Sequence, residues 1–218
     1  MTTEQTARPS NEPASRPFTV RNLPWIIAAG VFLLYVVTLN HWVTLKSLPV
    51  IAKISGWDWH PATTAPLHFL LTYPFHWLSG NARFVGLNLF SAVCAALTLA
   101  LLARSVSLMP QDRSPDQRQR QTSSDALYNA RFPWLAPLTA VLVCGLQLSF
   151  WENAIAATGE MLDLLLFAYV IRCLLEFRVS NRESWLLKMS LVYGLAVTNN
   201  WAMVGFFPFF LVALIWIK

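Results

Sequence analysis

Apolar runs separated by short polar breaks organise this chain. Residues 24–45 are mostly apolar, and the pattern returns over 84–104, 134–150, 161–177, 184–198 and 202–217. About twenty apolar residues in a helix cross a hydrocarbon core of ~30 Å, so these runs read as spans. Residues 66–78 are also apolar, but a run of ~10–14 is too short to cross and reads as an outer re-entrant or interfacial segment. Pro74, near its middle, would kink a spanning helix besides. The pattern therefore predicts an all-α, polytopic membrane helix bundle over 23–218. Residues 1–22 lack apolar periodicity and are expected to form a disordered cytoplasmic tail.

Composition agrees with this layout. The chain is 56% hydrophobic and only 12% charged, whereas a soluble domain carries about 25% charged residues. The positions of the arginines test the sidedness. With the tail inside and 66–78 outside, Arg8, Arg16 and Arg21 are cytoplasmic, as are Arg104 and the Arg113, Arg118, Arg120 and Arg131 of the polar loop 105–132. Arg172, Arg178, Arg182 and Lys188 follow on the same side, leaving Lys46, Lys53 and Arg83 outside. That distribution obeys the positive-inside rule, and a true span over 66–78 would reverse it for the 105–132 loop. The net charge of +5 thus reflects topology, not a nucleic-acid partner. Cys94, Cys144 and Cys173 lie inside apolar runs without metal-type spacing and read as small buried hydrophobes. The polar N-terminus does not fit a cleavable signal peptide, so the first run reads as a retained anchor.

Chemistry then falls to the outer loops, 45–82 and 151–160, and to the turn at 198–201. The first of these contains Lys46, Lys53, Asp58 and His60, with Trp57 and Trp59 flanking the acid as rings do at a membrane–water boundary. Asp58 is the acid of this loop, and Glu152 lies on the other outer turn. Glu160 and Asp163 share a face at the start of a helix, which suits the helix dipole, while an acid inside an apolar run is also a functional candidate. Asn199 and Asn200 interrupt two apolar runs and can satisfy freed backbone groups. His60, His68 and His76 are spaced eight apart without an acid cluster, so no metal site is expected.

Several motifs occur in a familiar order. His60-Pro61 leads through Pro66-Leu67, then come Asn88-Leu89-Phe90-Ser91-Ala92, Phe150-Trp151-Glu152-Asn153-Ala154, and Gly194-Leu195 with Asn199. In this order the chain resembles the GT-C type membrane glycosyltransferases, in the family related to protein O-mannosyltransferases, over roughly residues 25–218. The resemblance implies a GT-C-like transmembrane bundle. It also implies transfer of a sugar from a polyprenyl-phosphate donor to a hydroxyl acceptor, protein or glycan, on the outer face, with no cofactor. The family usually places an Asp just after its first span. Here that place falls near Leu45-Lys46-Ser47-Leu48, which has no acid. The family's Ala-Glu-Val-Tyr reads Ala157-Thr158-Gly159-Glu160.

Such a transfer needs a base at the acceptor and cations at the departing phosphate. Asp58 is the first choice of base and Glu152 the second. Lys46, His60, Arg83 and Glu160 are the candidates for substrate binding. Each also has a plainer reading: Asp58 as a capping residue, the basic groups as snorkelling side chains, and His60 as structural. The missing acid and the end of the chain at Lys218 leave open a non-catalytic or truncated family member acting as a membrane partner subunit. A small transporter is a third reading, suggested by broken helices and Asp163. The expected location is a bacterial inner (plasma) membrane, multi-pass, with the N-terminus cytoplasmic.

The topology is testable with single cysteines at Trp57 and Ser114, the native cysteines having been removed. In sealed cells an impermeant thiol reagent should label Trp57→Cys and spare Ser114→Cys. The opposite pattern would overturn the layout.

Overall fold

The computed structural model describes residues 22–58, 64–109 and 134–217, and among them it is all-helical. The tail, His60 with its neighbours Trp59 and Pro61, and most of the 105–132 loop lie outside the described residues. In chain order the helices are α1 (Leu23–Val37), α2 (Leu48–Ser55), α3 (Pro66–Thr72) with the 3-10 helix Tyr73–Trp77, and α4 (Asn81–Leu108). Then come α5 (Leu135–Gly145), α6 (Leu148–Ala154), α7 (Glu160–Ser180), α8 (Glu183–Asn199), the 3-10 helix Trp201–Phe206 and α9 (Phe207–Ile217).

Local chemistry explains most of the boundaries. Pro24 and Pro49 stand in the first turns of α1 and α2, where a missing N–H costs nothing. Gly56, at φ +74, closes α2 in a left-handed conformation that a side chain would disfavour. Glu160 and Asp163 occupy the first turn of α7, and Arg178 its last, each complementing the helix dipole. Asn181, at φ 51, closes that helix as the usual substitute for glycine.

α4 is the central element and packs on α1, α5 and α7. Its buried positions are mostly small: Ser91, Ala92, Cys94, Ala95, Ala96, Ala100 and Ala103. Small residues let helix backbones approach closely, which matters most where lipid removes any hydrophobic drive between helices. Tyr35 of α1 is fully buried and donates to the Gly145 carbonyl at 2.9 Å. A β-carbon on Gly145 would lie 2.9 Å from Leu99 Cδ1 and 3.3 Å from the Tyr35 hydroxyl, so a larger residue there would require Leu99 to shift. Near the C-terminal end of α4 the Arg104 guanidinium donates to the fully buried Glu176, at 3.0 Å from Nε and 2.5 Å from a terminal nitrogen.

Among the described residues α4 is the one helix that is by itself long and apolar enough to cross a membrane. α5 and α6 pass the same test only as a pair, bent by 75° at Leu146–Gln147. α1 and the segment Trp201–Ile217 are apolar but shorter. The run expected to span 24–45 is helical only to Val37. Beyond it the backbone turns to tertiary partners: the Asn40 N–H donates to the Ile155 carbonyl, and the Asn40 carbonyl accepts from Asn88. The loop expected from residue 105 starts later, because α4 continues to Leu108 with Ser105 and Ser107 buried. α3 and its 3-10 extension reach roughly 20 Å, less than a hydrocarbon core of ~30 Å.

Asn88 joins the segment after α1 to the segment before α7. It is fully buried in α4. Its amide nitrogen donates to Asn40 O at 2.6 Å, and its amide oxygen accepts from Ala157 N at 2.7 Å. One turn along, Ser91 Oγ accepts from Thr158 N at 3.3 Å. Asn88→Ala should lower stability by about 1–3 kcal/mol, because it leaves the buried Ala157 N–H unpaired. Denaturant unfolding of the purified protein measures the loss, and an unchanged midpoint would show that the clamp is dispensable.

Candidate functional site

The clamp brings two segments together: the one that follows α1 and the one between α6 and α7. In the first, Thr44 and Ser47 form a reciprocal turn. Thr44 N donates to Ser47 Oγ at 2.9 Å and Ser47 N to Thr44 Oγ1 at 3.2 Å. This turn starts α2 and fixes Lys46 beside it. Ile51 and Ile54 on the inner face of α2 pack on Leu87 and Ala157. Lys46 then meets Glu152 of α6 in an ion pair across 106 residues of sequence. Both side chains remain about half exposed, at 54% and 45%.

Asp58 lies at the other end of α2, exposed, beyond Gly56. Eight helical residues separate it from Lys46, a length of about 12 Å. Asp58 and the Lys46–Glu152 pair therefore flank opposite ends of α2. On the Asp58 side, Lys53 Nζ donates to Thr64 Oγ1 at 3.3 Å. Arg83 faces the backbone, donating to the carbonyls of Leu78 at 3.1 Å and His76 at 3.0 Å. The His76 ring nitrogen Nδ1 donates to Ile54 O at 2.6 Å, tying the 3-10 helix to α2.

A second polar cluster lies where α7 begins, α8 ends and α3 begins. The Asp163 carboxylate accepts from Asn199 Nδ2 at 2.6 Å on one oxygen and from Asn200 Nδ2 at 2.7 Å on the other. Asn199 Oδ1 accepts from the backbone N–H of His68 at 2.8 Å. Asn200 Oδ1 accepts from Ala202 N at 3.0 Å, so it does satisfy a backbone group freed by the helix break. The buried His68 ring packs against Phe90 and Gly159. Burial holds its pKa below the ordinary 6.5, the Asp163 charge opposing and the Lys53 charge adding to the shift. His68 is therefore neutral at pH 7. Glu160, one turn before Asp163, is exposed. No group of three or more His, Cys, Asp or Glu among the described residues is placed to hold a metal ion.

Sequence reasoning named the residues of this cluster but not their joint role. In the linear sequence Asn88 and Ser91 are marks of resemblance, and the clamp they form is a finding of the structure. The available signal was their spacing of three, which sets two polar groups on one face of an otherwise apolar helix.

The model of the Protein O-mannosyl-transferase TMEM260 N-terminal domain family matches residues 50–218. The chain belongs to this family. No curated protein and no solved structure matches it. The match agrees with the resemblance carried by the sequence motifs. The matched stretch takes in Asp58, Arg83, Glu152, Glu160 and Asp163, and begins just after Lys46.

Asp163→Asn should destabilise the protein by about 1.5–3 kcal/mol, since an amide nitrogen would face one of the two donors that the charged carboxylate now accepts. Thermal unfolding of the detergent-solubilised variant tests this. An unshifted midpoint would mean that the two asparagines do not depend on the carboxylate.

Proposed function

We propose that this chain forms the membrane bundle of a glycosyltransferase. It moves a sugar, mannose by the family's description, from a polyprenyl-phosphate donor to a hydroxyl of a protein or glycan on the outer face. A multi-pass arrangement is supported by large apolar side chains that face outward along most of the helices. Val37 on α1, Val143 on α5, Leu148 on α6, Leu187 on α8 and Phe209 with Trp216 on α9 are each more than 70% exposed. A water-soluble monomer seldom shows apolar patches beyond a few hundred Å².

The observation that carries the catalytic reading is the Lys46–Glu152 pair. It puts a carboxylate, supplied by α6, beside the position where the resembled family keeps its first-loop acid. In this reading Glu152 is the general base and Lys46 the cation for the departing phosphate. An exposed ion pair is worth only about 0–1 kcal/mol, so an incoming phosphate can draw Lys46 away at little cost. The Glu152 carboxylate is then free to accept the acceptor's proton. Asp58, about 12 Å away along α2, lies on the acceptor side with Lys53. Arg83 and Glu160 contribute at the rim.

Glu152→Gln should lower the transfer rate by ~10²–10⁴-fold, the usual contribution of a general base, with abundance unchanged. Asp58→Asn should lower it by less than about tenfold. The assay uses a lipid-linked mannose donor and membranes holding the full chain. Silence in Asp58→Asn with activity in Glu152→Gln would move the base to Asp58. No transfer by the wild type would favour the partner-subunit reading, which the missing first-loop acid also supports.

A further inference from the structure

A cavity of about 430 Å³ opens between α1, α4, α7 and α8, well away from the outer site. Its volume falls within the ~300–1,000 Å³ typical of small-molecule sites. Leu97 and Leu101 of α4 and Leu165 of α7 make its apolar wall, with Trp25 of α1 and the two arginines Arg104 and Arg172 also lining it. α4 and α7 run the same way. Ser91 meets Thr158 near their beginnings, and Arg104 meets Glu176 near their ends. Arg104 and Arg172 each lie about 10 Å further along than Leu97 and Leu165. The cavity is therefore apolar along its length and basic at one end.

The charges at that end do not balance within the lining. The Arg104 guanidinium is matched by the buried Glu176. Arg172 faces the same two groups, but its Nε is buried with no hydrogen-bond partner. Its guanidinium carbon sits 5.7 Å from the Tyr169 ring centre and 5.6 Å from that of Trp185. Rings attract the face of the cation and leave its in-plane N–H groups to a separate acceptor. A planar guanidinium with an unpaired in-plane Nε–H suits an anionic acceptor such as a phosphate.

We propose that this cavity binds an anionic membrane phospholipid, with the headgroup phosphate on Arg172 and Arg104 and one acyl chain along Leu97, Leu101 and Leu165. The proposal rests on the membrane reading given above. On that reading the basic end lies toward the cytoplasmic leaflet, whose anionic lipids are attracted to basic pockets between helices. The donor's polyprenyl phosphate belongs at the opposite, outer end. By filling the gap between α1 and α7, a bound lipid stabilises the bundle.

The experiment compares dioleoyl-phosphatidylglycerol with dioleoyl-phosphatidylcholine, added to the full chain in neutral detergent. Lipid retention is read by native mass spectrometry and stability by thermal unfolding. The wild type should retain one phosphatidylglycerol and unfold at a higher temperature with it, and do neither with phosphatidylcholine. Arg172→Gln should weaken retention at least about tenfold, as loss of a charge-assisted hydrogen bond implies. Ala100→Phe, which keeps both arginines but fills the cavity, should abolish it and serves if Arg172→Gln does not fold. Equal retention of the two lipids by the wild type would overturn the proposal, as would wild-type retention in Arg172→Gln. Preference for undecaprenyl phosphate over phosphatidylglycerol would overturn the assigned lipid class. Release of the chain from membranes by alkaline carbonate would sink the membrane reading and this proposal together. A chain that stays in the membrane but shows no lipid preference would sink this proposal alone.

Discussion

One buried carboxamide holds the segments of Lys46 and Glu152 together. Asn88 sits inside the central helix α4, where nothing but other protein groups can meet its hydrogen-bonding needs. It meets them by donating to Asn40 and accepting from Ala157. Each bond is worth only about 0.5–1.5 kcal/mol net, but leaving a buried partner unpaired costs about 1–3 kcal/mol. That asymmetry makes the arrangement specific. Asn40 lies just before Lys46 and Ala157 just after Glu152, so a side chain that touches neither of them determines that the two meet.

The two ends of the bundle hold their charges in different ways. At one end the Lys46–Glu152 pair is half exposed and is cheap to open. At the other Glu176 is fully buried against Arg104, and breaking such a pair costs about 3–5 kcal/mol because it strands a buried charge. The first pair can exchange partners readily. The second is suited to locking α4 against α7. The Asp163 cluster is intermediate in kind: its carboxylate is held by neutral amides and joins the ends of α7, α8 and α3 without a counter-ion among its hydrogen bonds.

The all-helical class, the approximate places of the helices and the membership of an O-mannosyltransferase-related family were legible in the linear pattern. Apolar periodicity, prolines in first turns and the order of short motifs are local properties, and a helix satisfies its own backbone wherever it later packs. Boundaries were less legible. Nothing in residues 38–45 forbids a helix, yet the chain leaves it after Val37 because Asn40 finds partners on α4 and at Ile155. The bend after Gly145 likewise lies where Leu99 and Tyr35 approach the backbone closely.

What the sequence determined by itself was therefore which segments are helical and apolar, and which polar residues are left over to carry chemistry. Asp58, Glu152, Lys46 and Asp163 stand out because acids and bases are scarce in a chain that is only 12% charged. Which of them meet was decided by tertiary structure alone. Lys46 finds Glu152 across 106 residues, His68 finds Asn199 across 131, and Arg104 finds Glu176 across 72. Those pairings depend on how helices pack around the small residues of α4, and packing of that kind leaves no period in the chain to read. The physical reason is one of range: helix formation is settled within a turn, whereas a buried polar group is settled by whatever the folded chain brings against it.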